Sequence, residues 1–421
     1  MSKCPIYLAL IFIWALPVEA KQPSPLDYSD LLSRDVTGVT SFIKEHPEHD
    51  ARGVVIAVLD TGVDSSVPGL EKTSTGETKV IAMRDFSGEG DLPLEEAWVE
   101  ETKDGHTIDA DGTPLVIPKS DLKTILNNRV WIANLDESRF AGTSIPDING
   151  NGRVDDSFRF VVLRDNKSAG APGWRVLVDD NGDGRTDGSG VRPYEVDQEL
   201  LFLGPGQSGG AARLPFGVHI RPEGPTLELH APAGSHGTHV AAIAAGHNIL
   251  NREGFDGIAP GAKILSLKIG NNNLSGGSST TKAKKKALEY AAQWSRLHRV
   301  PVVANISYGI GSETEGQHDI ERFVDGLLQK TPHLSVVVSG GNSGPGLSTI
   351  GTPAGAHLAT TVAAGFSERQ TGPLLGKTRS SGTETFYFSS RGGELAKPDI
   401  MTPGIALASV PDYDTHPIKA G

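Results

Sequence analysis

Cysteine is almost missing from this 421-residue chain: the only one, Cys4, lies among the first twenty residues. Beyond it the chain is expected to hold no thiol, no disulfide and no cysteine metal site. Positive charge is also short, with 39 Lys and Arg against 51 Asp and Glu and a formal net charge of −12. That balance excludes nucleic acid or an anionic membrane as the main partner, because both select for clustered Lys and Arg. A basic or neutral polypeptide, or bound cations, suits it better. Long apolar runs are lacking too: residues 6–15 fall short of the roughly 20 needed to cross a bilayer. Lys3, that run, and small residues at Val18 and Ala20 instead have the layout of a signal peptide over residues 1–20. Cleavage is expected after Ala20, giving a secreted or periplasmic protein with no membrane attachment once the signal is removed. No internal repeat of solenoid length is present.

What the chain does have is a hydrophobic fraction of 37% with 21% charged residues, the composition of an ordinary globular protein. Residues 21–52 read as a polar N-terminal arm. Gly53-Val54-Val55-Ile56-Ala57-Val58-Leu59 is continuous, apolar and β-branched, as expected of a strand buried on both faces of a parallel sheet. Similar runs cover residues 262–269, 300–306, 334–339 and 360–365, with helix-like stretches at 237–247, 280–298 and 317–330. This alternation predicts an α/β three-layer sandwich with a mostly parallel central sheet. Residues 71–229, rich in Gly, Asp, Asn and Pro, read as a large insertion, leaving 53–70 and 230–421 as the core. The lysine run at 282–286 reads as the solvated face of a helix.

Three segments of this α/β pattern carry chemistry. Asp60 closes the first strand before Thr61-Gly62. His236 stands in Gly234-Ser235-His236-Gly237-Thr238-His239, at the head of an Ala-rich helix. Asn342 follows the strand Val336-Val337-Val338 in Ser339-Gly340-Gly341-Asn342. Strand ends are where chemistry collects in open α/β sheets. A zinc site on His236 and His239 is disfavoured, since the spacing is three rather than four and no glutamate lies between them.

These segments, in this order, resemble the subtilisin-type serine proteases. The resemblance extends to Gly257-Ile258-Ala259-Pro260-Gly261, Asn305-Ile306-Ser307-Tyr308-Gly309, Phe388-Ser389-Ser390-Arg391-Gly392 and Lys397-Pro398-Asp399. It implies the fold of that family and catalysis without a cofactor. His236 would be the general base, Asp60 would orient its imidazole, and Asn342 would donate to the oxyanion. Ser307, Tyr308 and Gly309 would form the edge along which a polypeptide substrate pairs. The family's nucleophile, a Gly-Thr-Ser heading a helix, does not follow His236. The one Gly-Thr-Ser, ending at Ser144, precedes the histidine in the insertion and reads as a decoy. The serine is therefore expected beyond Gly421 in a longer protein, leaving these 421 residues inactive by themselves.

The 176-residue gap between Asp60 and His236 is similar to that of the tripeptidyl-peptidase II-like members of the family. Two glutamates understood to grip the substrate's amino terminus there align with Ser278 and Ile310 here, so neither carboxylate is present. A general secreted endopeptidase is the first reading. A tripeptidyl-peptidase, or a non-catalytic binding protein on the same fold, stays open, and nothing indicates an oligomeric state.

Two loops in the insertion share one spacing: Asp147, Asn149, Asn151 and Asp155, then Asp179, Asn181, Asp183 and Asp187, each with a Gly after its third member. Oxygens at alternate positions suit a structural calcium ion. Phe158 and Gly190 replace the bidentate glutamate of such loops, and ordinary Asx turns would have the same composition.

Overall fold

The computed structural model describes the chain from residue 32 to 413, apart from residues 33, 104, 111–112, 119–124, 142, 144, 166–172, 205–212, 222–224, 233, 275–277, 313 and 367–382. The signal segment, most of the arm and Ser144 lie outside the described residues, among which no helix is long and apolar enough to cross a membrane.

After a short helix α1 (Val39–Glu45), the core begins with β1 (Val55–Asp60) and β2 (Val80–Asp85). The next strands are β3 (Asp91–Pro93), β4 (Glu95–Glu101), β5 (Gly105–Ala110), β6 (Thr113–Pro118), β7 (Ile125–Asp136), β8 (Ser157–Asp165), β9 (Gly173–Asp179) and β10 (Asp187–Val191). Helix α2 (Tyr194–Asp197), β11 (Gly217–Arg221) and β12 (Thr226–His230) complete the insertion. The core resumes with α3 (His236–Ala245), β13 (Lys263–Lys268), α4 (Thr281–His298), β14 (Val302–Ile306), α5 (Asp319–Lys330) and β15 (Leu334–Ser339). It continues through β16 (Thr360–Phe366), β17 (Glu384–Thr385) and β18 (Ile400–Pro403).

The central sheet has the order β17-β16-β15-β14-β1-β13-β2, with β18 also on β16. Every pairing is parallel except β16 with β17. β1 lies inside the sheet and is buried throughout, which explains its unbroken apolar run. Its side chains divide by the strand's period of two. Val55, Ala57 and Leu59 pack with Ala287, Leu288 and Ala291 of α4 and Val324 of α5. Ile56 and Val58 pack on the other face with Ala241, Ala242 and Ala245 of α3. Helices thus cover both faces, as the alternation of elements predicts.

The insertion differs from its reading as a surface addition over 71–229. β2 lies inside that span yet forms the edge of the central sheet, in register with β13 from Val80 to Asp85. Its sequence, VIAMRD, is strand-like, but the Gly- and Asp-rich surroundings hide it. Beyond β2 the insertion builds a seven-stranded antiparallel sheet, β10-β9-β8-β7-β4-β5-β6, and a three-stranded one, β11-β12-β3. These enclose apolar clusters of their own, including Phe158, Phe160, Val162 and Phe216 on one side and Val161, Leu163, Ile108 and Leu115 on the other. Composition concealed this core because its strands are short and separated by polar turns.

Candidate active site

Asp60 is the last residue of β1 and His236 the first of α3, and the two meet: His236 Nδ1 lies 2.7 Å from Asp60 Oδ1. Asp60 is buried, its side chain 3% exposed, whereas the imidazole is 54% exposed. One carboxylate oxygen also accepts the Thr61 N–H at 2.8 Å. The imidazole is therefore anchored through Nδ1 while its ring reaches solvent. The hydrogen bond that His236 Nδ1–H donates to Asp60, then the charge of that carboxylate, raises the His236 pKa above its ordinary value, and burial opposes them. This is the electrostatic setting of a general base held in one tautomer.

The backbone explains the approach. The Gly62 carbonyl lies where a side chain on Gly237 would begin, with a built Cβ only 2.4 Å from it. Gly62 itself has φ 101° and leaves no room either, since a Cβ there would come 2.9 Å from Pro232 Cα. Gly237 N–H donates to Thr61 Oγ1 at 3.0 Å and Asp64 N–H to Thr238 Oγ1 at 3.0 Å, pinning the helix to the turn. The other end of α3 is tied by Lys79, a fully buried side chain from the segment before β2. Its ammonium donates to the carbonyls of Ala245 and Pro260.

Behind the turn lies a polar layer that sequence reasoning missed. Val63 N–H donates to Ser266 Oγ at 2.9 Å, and His230 Nε2 lies 2.8 Å from the same hydroxyl. Burial, then the charge of Lys268, pushes the His230 pKa down to about 3, so its ring is neutral as it shares a hydrogen bond with Ser266 Oγ. Lys268, register partner of Asp60 across β1 and β13, pairs with Glu89 at 2.7 Å, both side chains almost wholly buried. Glu89 also accepts the Asn272 N–H. The signal for this layer was present: Ser266 and Lys268 are polar residues two apart in a strand whose only other polar residue is its first, Lys263.

The other expected residues share the carboxyl edge of the sheet. Ser307 follows β14, the neighbour of β1, and Asn342 follows β15, one strand further. Two strand spacings separate β1 from β15 by roughly 10 Å. Asn342 is exposed, and its loop is fixed by the Phe388-Ser389-Ser390 segment: Ser343 N–H donates to Ser390 Oγ at 3.0 Å and Gly344 N–H to the Phe388 carbonyl at 2.8 Å. Ser307 Oγ accepts from Asn305 Nδ2 at 3.0 Å, Tyr308 is half-buried and Gly309 is exposed. The lysine run at 282–286 is only partly a solvated face. Lys282 and Lys286 are exposed and Lys285 pairs with Asp319, but Lys284 turns inward, its ammonium 4.1 Å from the centre of the Tyr308 ring.

The two candidate calcium loops lie in the insertion, away from this edge. Asp147 accepts the Asn151 and Gly152 N–H groups, Asn149 accepts from Asn151 N–H, and Asp155 pairs with Arg153 at 3.1 Å. In the second loop Asp179 is buried and bound by Arg159 at 2.6 Å. Asn181 and Asp183 accept backbone N–H groups, and the side chain of Asp187 lies outside the description. These are self-closing Asx turns with two guanidinium groups already on the carboxylates. An ion would have to compete with Arg153 and Arg159. Thermal unfolding is accordingly expected at the same temperature in calcium and in chelator; a rise with calcium would show that the ion wins.

Known proteins resemble this chain over most of its length. Residues 51–417 match the model of the subtilase family, Peptidase S8. The chain is 29% identical over 458 residues to tripeptidyl-peptidase 2 of Caenorhabditis elegans, spanning 94% of this chain and 32% of that protein. It is 30% identical to tripeptidyl-peptidase 2 of Arabidopsis thaliana, spanning 88% and 30%. Pyrolysin of Pyrococcus furiosus is 26% identical, spanning 93% and 31%. The crystal structure of tripeptidyl peptidase 2 superposes with a TM-score of 0.64 at 24% identity over 84% of this chain and 31% of that one, a likeness of fold. The chain thus spans about a third of the length of these curated relatives.

Proposed function

This chain belongs to the subtilase family, and we propose that it forms the acid–base half of an exported serine endopeptidase. The observation that supports this reading best is the 2.7 Å contact between His236 Nδ1 and buried Asp60. With Nδ1–H committed to the carboxylate, Nε2 is the free basic nitrogen. It takes the proton of a serine hydroxyl as Oγ bonds to the substrate carbonyl carbon. It returns that proton to the leaving amine as the C–N bond breaks, and a water then repeats the sequence on the acyl-enzyme. Asn342 is the donor for the oxygen that becomes negative. The chemistry draws on side chains alone. No Gly-Thr-Ser follows His236 within residues 1–421, so this reading requires a serine supplied from outside them. Export follows from the layout of residues 1–20.

An endopeptidase is preferred over a tripeptidyl-peptidase on one feature. Ser278 and Ile310, where carboxylates would grip a free amino terminus, are uncharged, and Ile310 is 54% exposed. The test uses the protein translated through the downstream reading frame, with two peptides of one sequence, amino-acetylated and free. Internal cleavage of both at similar rates is expected. Release of tripeptides from the free peptide alone would establish the exopeptidase. Absence of labelling by a fluorophosphonate would establish the non-catalytic binding protein.

A further inference from the structure

Lys284 is a buried cation without a counter-charge. It lies on the inward face of α4, 3% exposed, yet among the described residues no carboxylate pairs with it and no carbonyl accepts from it. The neighbouring charged side chains of its own helix point elsewhere: Lys285 to Asp319, and Lys282, Lys286 and Glu289, the helix's one acid, to solvent. Its one close partner among the described residues is an aromatic ring. The ammonium stands 4.1 Å from the centre of the Tyr308 ring, whose hydroxyl accepts the Ser279 N–H at 3.4 Å. Burial is the sole influence on its acidity, lowering the pKa to about 8, so the ammonium keeps its charge at neutral pH. A buried charge left unpaired is costly, by several kcal/mol for a fully desolvated ion, and proteins normally supply a partner. Tyr308 belongs to the edge proposed above for the substrate backbone. The residues that touch or flank Tyr308, namely Ser279, Ser307 and Gly309, contribute no negative charge.

We propose that Lys284 is a specificity-determining residue, selecting polypeptides with an acidic side chain seated against Tyr308. The inference rests on the peptidase reading of the 307–309 edge. The missing partner is the substrate's own carboxylate, which would meet the ammonium beside the ring. The same charge repels a free α-amino group and so disfavours recognition of an amino terminus there. It also modifies the expectation from net charge: within a Debye length of about 8 Å a local cation outweighs a distant surplus of acid.

Peptide binding tests this in the 421-residue protein, without need of a nucleophile. The probes are fluorescein-labelled, amino-acetylated octapeptides of one sequence, with Glu, Gln or Lys placed in turn at each position and affinity read by anisotropy. Glu is expected to bind about tenfold tighter than Gln at one position, with Lys weakest, as for a charge-assisted contact. In Lys284→Met, a substitution of similar length, the Glu-to-Gln ratio should fall to about one, and Lys284→Arg should restore it. Equal affinities in the parent protein, or a ratio that survives in Lys284→Met, would overturn the proposal. Binding by no peptide, or binding indifferent to Gly309→Val, would instead overturn the peptidase reading and the proposal with it.

Discussion

Replacing Asp60 by Asn is expected to lower kcat of the complete protein by about four orders of magnitude, as loss of this carboxylate does in serine-protease triads. The cause is positional: an amide at the end of β1 offers Nδ1 a donor or a poor acceptor, the imidazole takes the wrong tautomer, and the proton of the attacking hydroxyl has nowhere to go. The pH dependence carries the sign. His236 works as a base only when neutral, and Asp60 raises its pKa above the ordinary 6.5. Activity of the parent should therefore rise as pH passes through that raised pKa, and the residual activity of Asp60→Asn should rise at lower pH. Stability runs the other way. The stabilisation from protonated His236 is fully present below pH 6.5 and lost as pH climbs through the folded-state pKa, so the two proteins differ most in acid. An NMR titration of the His236 ring in the 421-residue chain measures this. An unchanged midpoint in Asp60→Asn would mean that the hydrogen bond does not govern the base.

Glu89→Gln is expected to cost about 3–5 kcal/mol of folding stability by denaturant titration, because it removes the carboxylate 2.7 Å from the buried Lys268 ammonium, itself 1% exposed. The companion experiment removes both charges. Lys268→Met with Glu89→Leu should recover most of the loss, since a buried pair replaced by apolar groups of similar volume is close to neutral. If Glu89→Gln alone unfolds at the parental denaturant concentration, water reaches the pair and its energetics are those of a surface. The position matters to the active site, since Lys268 is in register with Asp60 and Glu89 also holds the Asn272 amide.

The contact between Asp60 and His236 was legible because each residue sits at the end of a local pattern: a buried parallel strand reads as an unbroken apolar run, and a helix packed tightly on a sheet shows its small residues in sequence. What could not be read was distributed. β2 has the composition of a strand, but its place beside β13 depends on a partner some 180 residues away. The Asp and Asn spacing of the two insertion loops was visible, but not that Arg159, on the neighbouring strand β8, would lie against Asp179. Within the run 282–286 five consecutive positions carry four lysines, and only the helix phase, fixed by Ala283, Ala287 and Ala291 packing on the sheet, turns Lys284 inward.

The contact of Gly62 with Pro232 on one side and Gly237 on the other is backbone against backbone. Side chains absorb displacement by changing rotamer, whereas main-chain atoms at van der Waals distance do not. The turn below Asp60 and the head of α3 are therefore held by main-chain contacts that leave no space for a Cβ at Gly62 or Gly237. A side chain added at either glycine would thus be felt directly in the Asp60–His236 geometry rather than absorbed in the core.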